Sequence, residues 1–72
     1  MNSHFKRWID ESVKSMSGEF SAQMILEDII TKHGTSPYVG KVKGIGWYLS
    51  KLNNNIIKLR QDDGINIYKV KT

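Results

Sequence analysis

The feature that most constrains the fold is a β-hairpin signal late in the chain. Two runs rich in β-branched and aromatic residues, IIKLR and INIYKV, flank the tetrapeptide Gln61-Asp62-Asp63-Gly64. Such runs favour strands, and an Asp-Gly pair favours the tight turn that joins two antiparallel strands. Val70 departs from the alternation set by Ile65 and Ile67, so the pattern leaves the register open. The sequence therefore predicts a hairpin over residues 55–70.

Two helices are predicted before this hairpin, because apolar residues recur there at intervals of three and four. The first has Ser3 as its N-cap. The second runs from about Ala22 to His33, with Ser21 as its N-cap and Gly34 as its C-terminal stop. The positions expected to face the core are Phe5, Trp8, Ile9, Val13, Met16, Ala22, Ile25, Leu26, Ile29 and Ile30.

A third helix is predicted within residues 36–54, SPYVGKVKGIGWYLSKLNN. Ser36 and Pro37 suit the N-cap and first position of a helix. Three glycines oppose a helix that begins there, since each costs roughly 1 kcal/mol relative to alanine in a helix interior. Residues 42–52 are therefore the firmer helix, with residues 35–41 as an alternative loop. The apolar stripe expected to face the core is Tyr38, Val42, Ile45, Leu49 and Leu52.

Length and composition restrict the class of protein. The chain has 72 residues and no cysteine, so we expect one domain over residues 1–72, without a disulfide or a thiolate metal site. No segment has the apolar length of a membrane span, and the first twelve residues contain two acids where a signal peptide is apolar. We expect a cytoplasmic α+β domain of three helices and a C-terminal hairpin.

Charge is distributed unevenly along the chain. The net charge is +4 at pH 7. Residues 1–28 carry five acids against three bases, whereas residues 29–60 carry six bases and no acid. A basic block of this length favours a polyanionic partner such as nucleic acid. A solvated basic face without a partner is the alternative reading.

Catalysis finds little support in the sequence. The carboxylates occur largely as adjacent pairs, Asp10-Glu11, Glu27-Asp28 and Asp62-Asp63, and adjacent side chains point in different directions. His4 and His33 each stand alone, which disfavours a metal site. The glycine-rich segment lacks the spacing of a phosphate-binding P-loop. We therefore predict no enzyme activity, no metal and no cofactor.

The order of the predicted elements resembles that of a winged helix-turn-helix domain. The residues that carry the resemblance are the helix Ser21–His33, the turn GTSP, the segment VKGIGWYLSKL in the place of a recognition helix, and IIKLRQDDGINIYKV in the place of the wing. The segment GIGWYL is also similar to the start of recognition helices in small winged-helix domains of phage and mobile-element proteins. The resemblance spans nearly the whole chain.

This resemblance implies that residues 42–54 enter the major groove of DNA and that the hairpin contacts backbone or minor groove. The basic side chains would meet phosphates, and Ser50 and Asn54 would read base edges. Glycine would let the backbone approach. The residues so assigned to DNA are Lys41, Lys43, Gly44, Trp47, Ser50, Lys51, Asn54, Lys58 and Arg60.

The sequence thus predicts a small double-stranded-DNA-binding protein that regulates transcription or replication, with a homodimer or an array supplying specificity. Asp62 and Asp63 would be repelled by phosphate, which argues against deep insertion of the wing. The alternative is a protein-interaction module of the same fold, with Trp47, Tyr48 and the basic face against an acidic partner. Trp47 would face DNA in the first case and protein in the second. Single-stranded nucleic acid is less favoured, because the two aromatic rings lie on different sides of the helix.

Overall fold

Three helices followed by two strands make up the fold of the computed structural model, which describes residues 2–51 and 55–71. The elements are α1 (Ser3–Ser15), α2 (Ala22–His33), α3 (Val42–Lys51), β1 (Ile56–Asp62) and β2 (Ile65–Val70). This is an α+β fold, consistent with a winged helix whose C-terminal hairpin is the wing, and the predicted fold class is confirmed. In the described ranges, no helix combines the length and apolar character needed to cross a membrane.

The first two helices begin at side-chain caps. Asn2 caps α1 by accepting a hydrogen bond from the backbone N–H of His4 at 2.8 Å, so the prediction of Ser3 was wrong by one residue. Ser21 caps α2 as predicted, and its Oγ accepts from the N–H of Met24 at 3.4 Å. Gly34 ends α2 with a φ of 72°, a conformation that costs glycine little.

One hydrophobic core joins all three helices to the sheet. Ile30 and Tyr38 were predicted to face this core but are 38% and 46% exposed. Trp8 packs against the core and stacks on His33, with ring centroids 4.2 Å apart. Leu52 lies outside the described residues. The buried members of the core are Phe5, Ile9, Val13, Phe20, Ile25, Ile29, Ile45, Tyr48, Leu49, Ile56 and Tyr68.

The segment between α2 and α3 is a loop. Ser36 does not cap a helix: its Oγ accepts from the N–H of Tyr38 at 3.2 Å and its carbonyl from the N–H of Val39 at 3.0 Å, which makes a turn. A Cβ added to Gly40 would lie 2.7 Å from Cε2 of Phe5. Gly40 therefore lets the loop backbone lie directly on a core ring, and the loop alternative for residues 35–41 is confirmed.

The hairpin turns at Asp63 and Gly64, whose φ angles of 50° and 80° are the pair that a type I′ turn requires. Both strands extend to this turn, since Asp62 pairs with Ile65. The register shifts between Lys58 and Arg60. Such an irregularity places one extra residue on β1 and is not visible in the alternation of apolar residues along the sequence.

The sheet also receives the link between α1 and α2. Phe20 and Tyr68 exchange backbone hydrogen bonds of 2.9 and 2.8 Å, so Phe20 pairs with β2. Tyr68 is 1% exposed, whereas Ile65 of the same strand is 55% exposed. The tyrosine side of β2 therefore faces the core, which settles the register that the sequence pattern left open.

A polar contact ties α1 to α2. The buried Ser12 donates from its Oγ to Oδ2 of Asp28 at 2.6 Å, and Nζ of Lys32 lies 3.1 Å from the same oxygen. The hydrogen bond from Ser12 is the main cause that lowers the pKa of Asp28 below its ordinary value of 3.8. The ionised carboxylate is thus favoured in the folded protein.

We expect Asp28→Asn to lower the free energy of unfolding near pH 7 by about 1.5–3 kcal/mol, as for hydrogen bonds to charged groups. Because the pKa of Asp28 is lowered by folding, its contribution is present above the unfolded-state pKa and disappears as the pH falls through the folded-state pKa. The difference in unfolding free energy between wild type and variant, measured in urea, should therefore shrink as the pH falls below the ordinary aspartate pKa of 3.8. Glu27→Gln, an exposed neighbour, is the control. A difference in unfolding free energy between wild type and Asp28→Asn that stays constant with pH would contradict this role of the Asp28 carboxylate.

Candidate nucleic-acid interface

Helix α3 separates a buried side from an exposed side. Ile45, Tyr48 and Leu49 are buried. The exposed side chains of the same helix are Lys43, Trp47, Ser50 and Lys51. All four were predicted to face outwards, and Trp47 is 53% exposed.

Tyr48 fixes this helix against α1. Its hydroxyl donates to the carboxylate of Asp10, with both oxygens 3.0 Å away. Burial, followed by the hydrogen bond to Asp10, raises the pKa of Tyr48. With only 8% of its surface exposed, Tyr48 offers no contact surface to a partner. Its spacing of three from Ile45 was the sequence signal for this buried position.

A groove of about 670 Å³ lies between α3, the start of α2 and the hairpin turn. Four predicted site residues line it, Lys43, Trp47, Ser50 and Lys51. The described lining contains no Asp or Glu. The other lining residues are Ala22, Gln23, Val42, Gly46, Gly64, Ile65, Asn66 and Tyr68. We call this feature the α3–hairpin groove.

Three polar side chains meet in this groove. Nδ2 of Asn66 donates to the hydroxyl of Tyr68 at 3.3 Å, and the Ser50 Oγ lies 3.4 Å from the same hydroxyl. Oδ1 of Asn66 is buried and has no hydrogen-bond partner in the described chain. Sequence reasoning missed Asn66 and Tyr68 as site residues. Their common alternation with Val70 was the signal that they share one face of the strand.

The hairpin arginine is held by carboxylates. Nη2 of Arg60 donates to Glu19 Oε1 at 2.6 Å, and Nε donates to Asp62 Oδ2 at 2.9 Å. These bonds, that to Glu19 first, raise the pKa of Arg60, and Arg60 in turn lowers the pKa of Glu19. The charge of Arg60 is therefore balanced within the protein.

The other predicted residues that the structure describes do not line the groove. Lys41 and Gly44 line a separate depression of about 370 Å³ beside Phe5. Lys58 is exposed on β1. Asn54 lies outside the described residues. Of the eight predicted residues that the structure describes, four therefore line the same groove.

Comparisons with known proteins assign no family. No family model, curated protein or solved structure matches the chain. Within residues 2–51 and 55–71, no three His, Asp or Glu side chains are grouped as a metal site would need. The functional interpretation therefore depends on the exposed face of α3 and the groove beside it.

Proposed function

We propose that this protein binds double-stranded DNA through α3 and the hairpin, as a small regulator of transcription or replication in the cytoplasm. The observation that supports this most is the exposed face of α3, where Lys43, Trp47, Ser50 and Lys51 lie together. Ammonium groups there neutralise phosphates, and the serine hydroxyl hydrogen-bonds to a base edge or a phosphate.

The dimensions of α3 suit this role. Ten residues make a helix about 15 Å long, and the major groove of B-DNA is about 12 Å wide and admits one helix. The anchor between Tyr48 and Asp10 holds α3 with its lysines outward. Helix α3 therefore presents its charged face without rearrangement, as a major-groove reader must.

The hairpin plays the smaller part in this proposal. Asp63 lies in its turn, and Asp62 precedes the turn in a bond to Arg60. Arg60 would have to give up Glu19 or Asp62 before it met a phosphate, and such an exchange gains little. Affinity should therefore come mainly from the lysines, and a second copy on an adjacent site would lengthen the short DNA site that one domain covers.

The alternative function, binding to an acidic protein, has one specific observation in its favour. The α3–hairpin groove exposes Trp47 and Ile65, which are 53% and 55% accessible. Aromatic residues are enriched in protein–protein interfaces. Because Tyr48 is buried, a protein partner would contact Trp47 and not Tyr48 in this alternative.

A duplex titration at two salt concentrations tests the proposed function. Lys41, Lys43, Lys51 and Lys58 are all exposed, and four neutralised phosphates give a slope of log K against log salt of about −3.6. Fluorescence anisotropy of a labelled duplex should therefore show roughly 100-fold weaker binding at about 200 mM than at about 50 mM salt. Absence of duplex binding at low salt, or binding that does not respond to salt, would refute the proposal.

A further inference from the structure

The α3–hairpin groove has chemistry that contact with a DNA backbone does not use. We propose that it binds a single unpaired nucleotide, with the base against Trp47 and an amino group of the base on Asn66. This inference rests on the proposed function, since the DNA that meets α3 would deliver the nucleotide. It adds a preference for bulged, mismatched or junction DNA over fully paired duplex.

The size of the groove suits one nucleotide. Its volume of about 670 Å³ lies within the range of about 300–1,000 Å³ that small-molecule sites occupy. A base must leave the helical stack to enter a site of this kind, and this costs least where the base is already unpaired. The groove therefore selects for unpaired bases.

Trp47 supplies a stacking surface. Its indole belongs to the groove lining and is 53% exposed. Every base has a flat π-face, and stacking of one base on an aromatic side chain strengthens binding by roughly tenfold or more. One aromatic side chain is sufficient to stack one base, so the burial of Tyr48 does not prevent stacking on Trp47.

Asn66 supplies a hydrogen-bonding group that lacks a partner. Nδ2 donates to Tyr68, and the buried Oδ1 is unsatisfied within the described chain. A buried acceptor without a donor is unfavourable, so rotation of the Asn66 amide towards a ligand that donates to Oδ1 is favoured. The exocyclic amino groups of adenine and cytosine are such donors.

The charges of the groove favour a nucleotide over a peptide. Lys43 and Lys51 both line it and are exposed, and its described lining contains no acid. A nucleotide brings its own phosphate to these ammonium groups while its base covers the apolar lining. A peptide would need an acidic and an aromatic side chain in one short stretch to satisfy the same contacts.

Tryptophan fluorescence provides the readout. The chain has two tryptophans, and Trp8 stacks on His33 and does not line the groove. In a Trp8→Phe background, emission reports Trp47 alone. Titration with a hairpin DNA that carries one unpaired adenine should quench this emission and show roughly tenfold tighter binding than the fully paired hairpin DNA.

Variants separate the groove from the rest of the interface. Asn66→Ala should reduce the preference for the unpaired adenine to less than about threefold. Trp47→Leu, at an exposed position, should also reduce the preference, as measured by the anisotropy of labelled hairpin DNA because this variant lacks the reporting indole. Gln61→Ala is the matched control, since Gln61 pairs with Asn66 across the hairpin but does not line the groove. It should retain the full preference.

The outcomes distinguish this site from the proposed function. Equal affinity for the two DNAs with unchanged Trp47 emission would overturn the nucleotide site and leave duplex binding intact. No binding to either DNA at low salt would overturn both. Quenching by a synthetic peptide of glutamate and phenylalanine, and by neither DNA, would assign the groove to a protein partner.

Discussion

Replacement of both Lys43 and Lys51 by alanine should weaken duplex binding by roughly 10- to 100-fold at about 0.1 M salt. Both ammonium groups lie on the exposed face of α3, and neither forms an ion pair in the described chain. Each neutralised phosphate contributes about 0.9 to the magnitude of the slope of log K against log salt. The slope of the double variant should therefore be smaller in magnitude by about 1.8. Anisotropy titrations over several salt concentrations measure the affinity and the slope together.

The matched control removes two lysines elsewhere. Lys14 on α1 and Lys71 after β2 are both exposed, so Lys14→Ala with Lys71→Ala has the same net charge as the test variant. If the charge of the whole molecule governed binding, the two double variants would weaken it equally. Equal weakening, or a test variant with the wild-type slope, would rule out α3 as the contact surface.

Gly40→Ala should destabilise the fold by about 1–3 kcal/mol, the usual cost of excess volume in a packed core. The new Cβ would lie 2.7 Å from Cε2 and 3.1 Å from Cδ2 of Phe5. Phe5 is 1% exposed, so its ring has little room to move away. Urea or thermal unfolding gives the free-energy difference.

Gly46→Ala provides the opposite case in the same region. Gly46 lies inside α3, and apart from its chain neighbours and the adjacent backbone of α3 no described heavy atom lies within 4 Å of the position of its added Cβ. Alanine there should stabilise the protein by up to about 1 kcal/mol through helix propensity. If Gly40→Ala were as stable as the wild type, the packing of Gly40 on Phe5 would not restrict the side chain at this position.

Local chemistry was sufficient to predict most elements of this fold. The cap at Ser21, the stop at Gly34 and the Asp-Gly turn each act within a few residues, and each was read from the sequence. The sequence did not determine where α3 begins, because Ser36 and Pro37 favour a helix while the following glycines oppose it. Packing of Gly40 on Phe5, which is far away in sequence, accompanies the loop found there.

Only part of the candidate site could be predicted, because the rest depends on contacts between residues that are distant in the sequence. Helical spacing placed Lys43 and Trp47 outside, since a helix has a fixed period. Asn66 and Tyr68 were missed because the shifted register in β1 and the pairing of β2 with Phe20 decide which side of β2 faces the core. The hydrogen bonds of Arg60 to Glu19 and Asp62 could not be predicted from the sequence either. Long side chains form such bonds only after folding has brought them close together.

The pairing of Phe20 with Tyr68 has a consequence for the entropy of binding. These two rings are 1% exposed, with centroids 6.0 Å apart, so the hairpin is secured to the same core that holds α3. A partner in the α3–hairpin groove meets both walls already in place. The association therefore avoids the cost of ordering a flexible arm, which commonly takes up part of the interaction energy when a loop closes over its ligand.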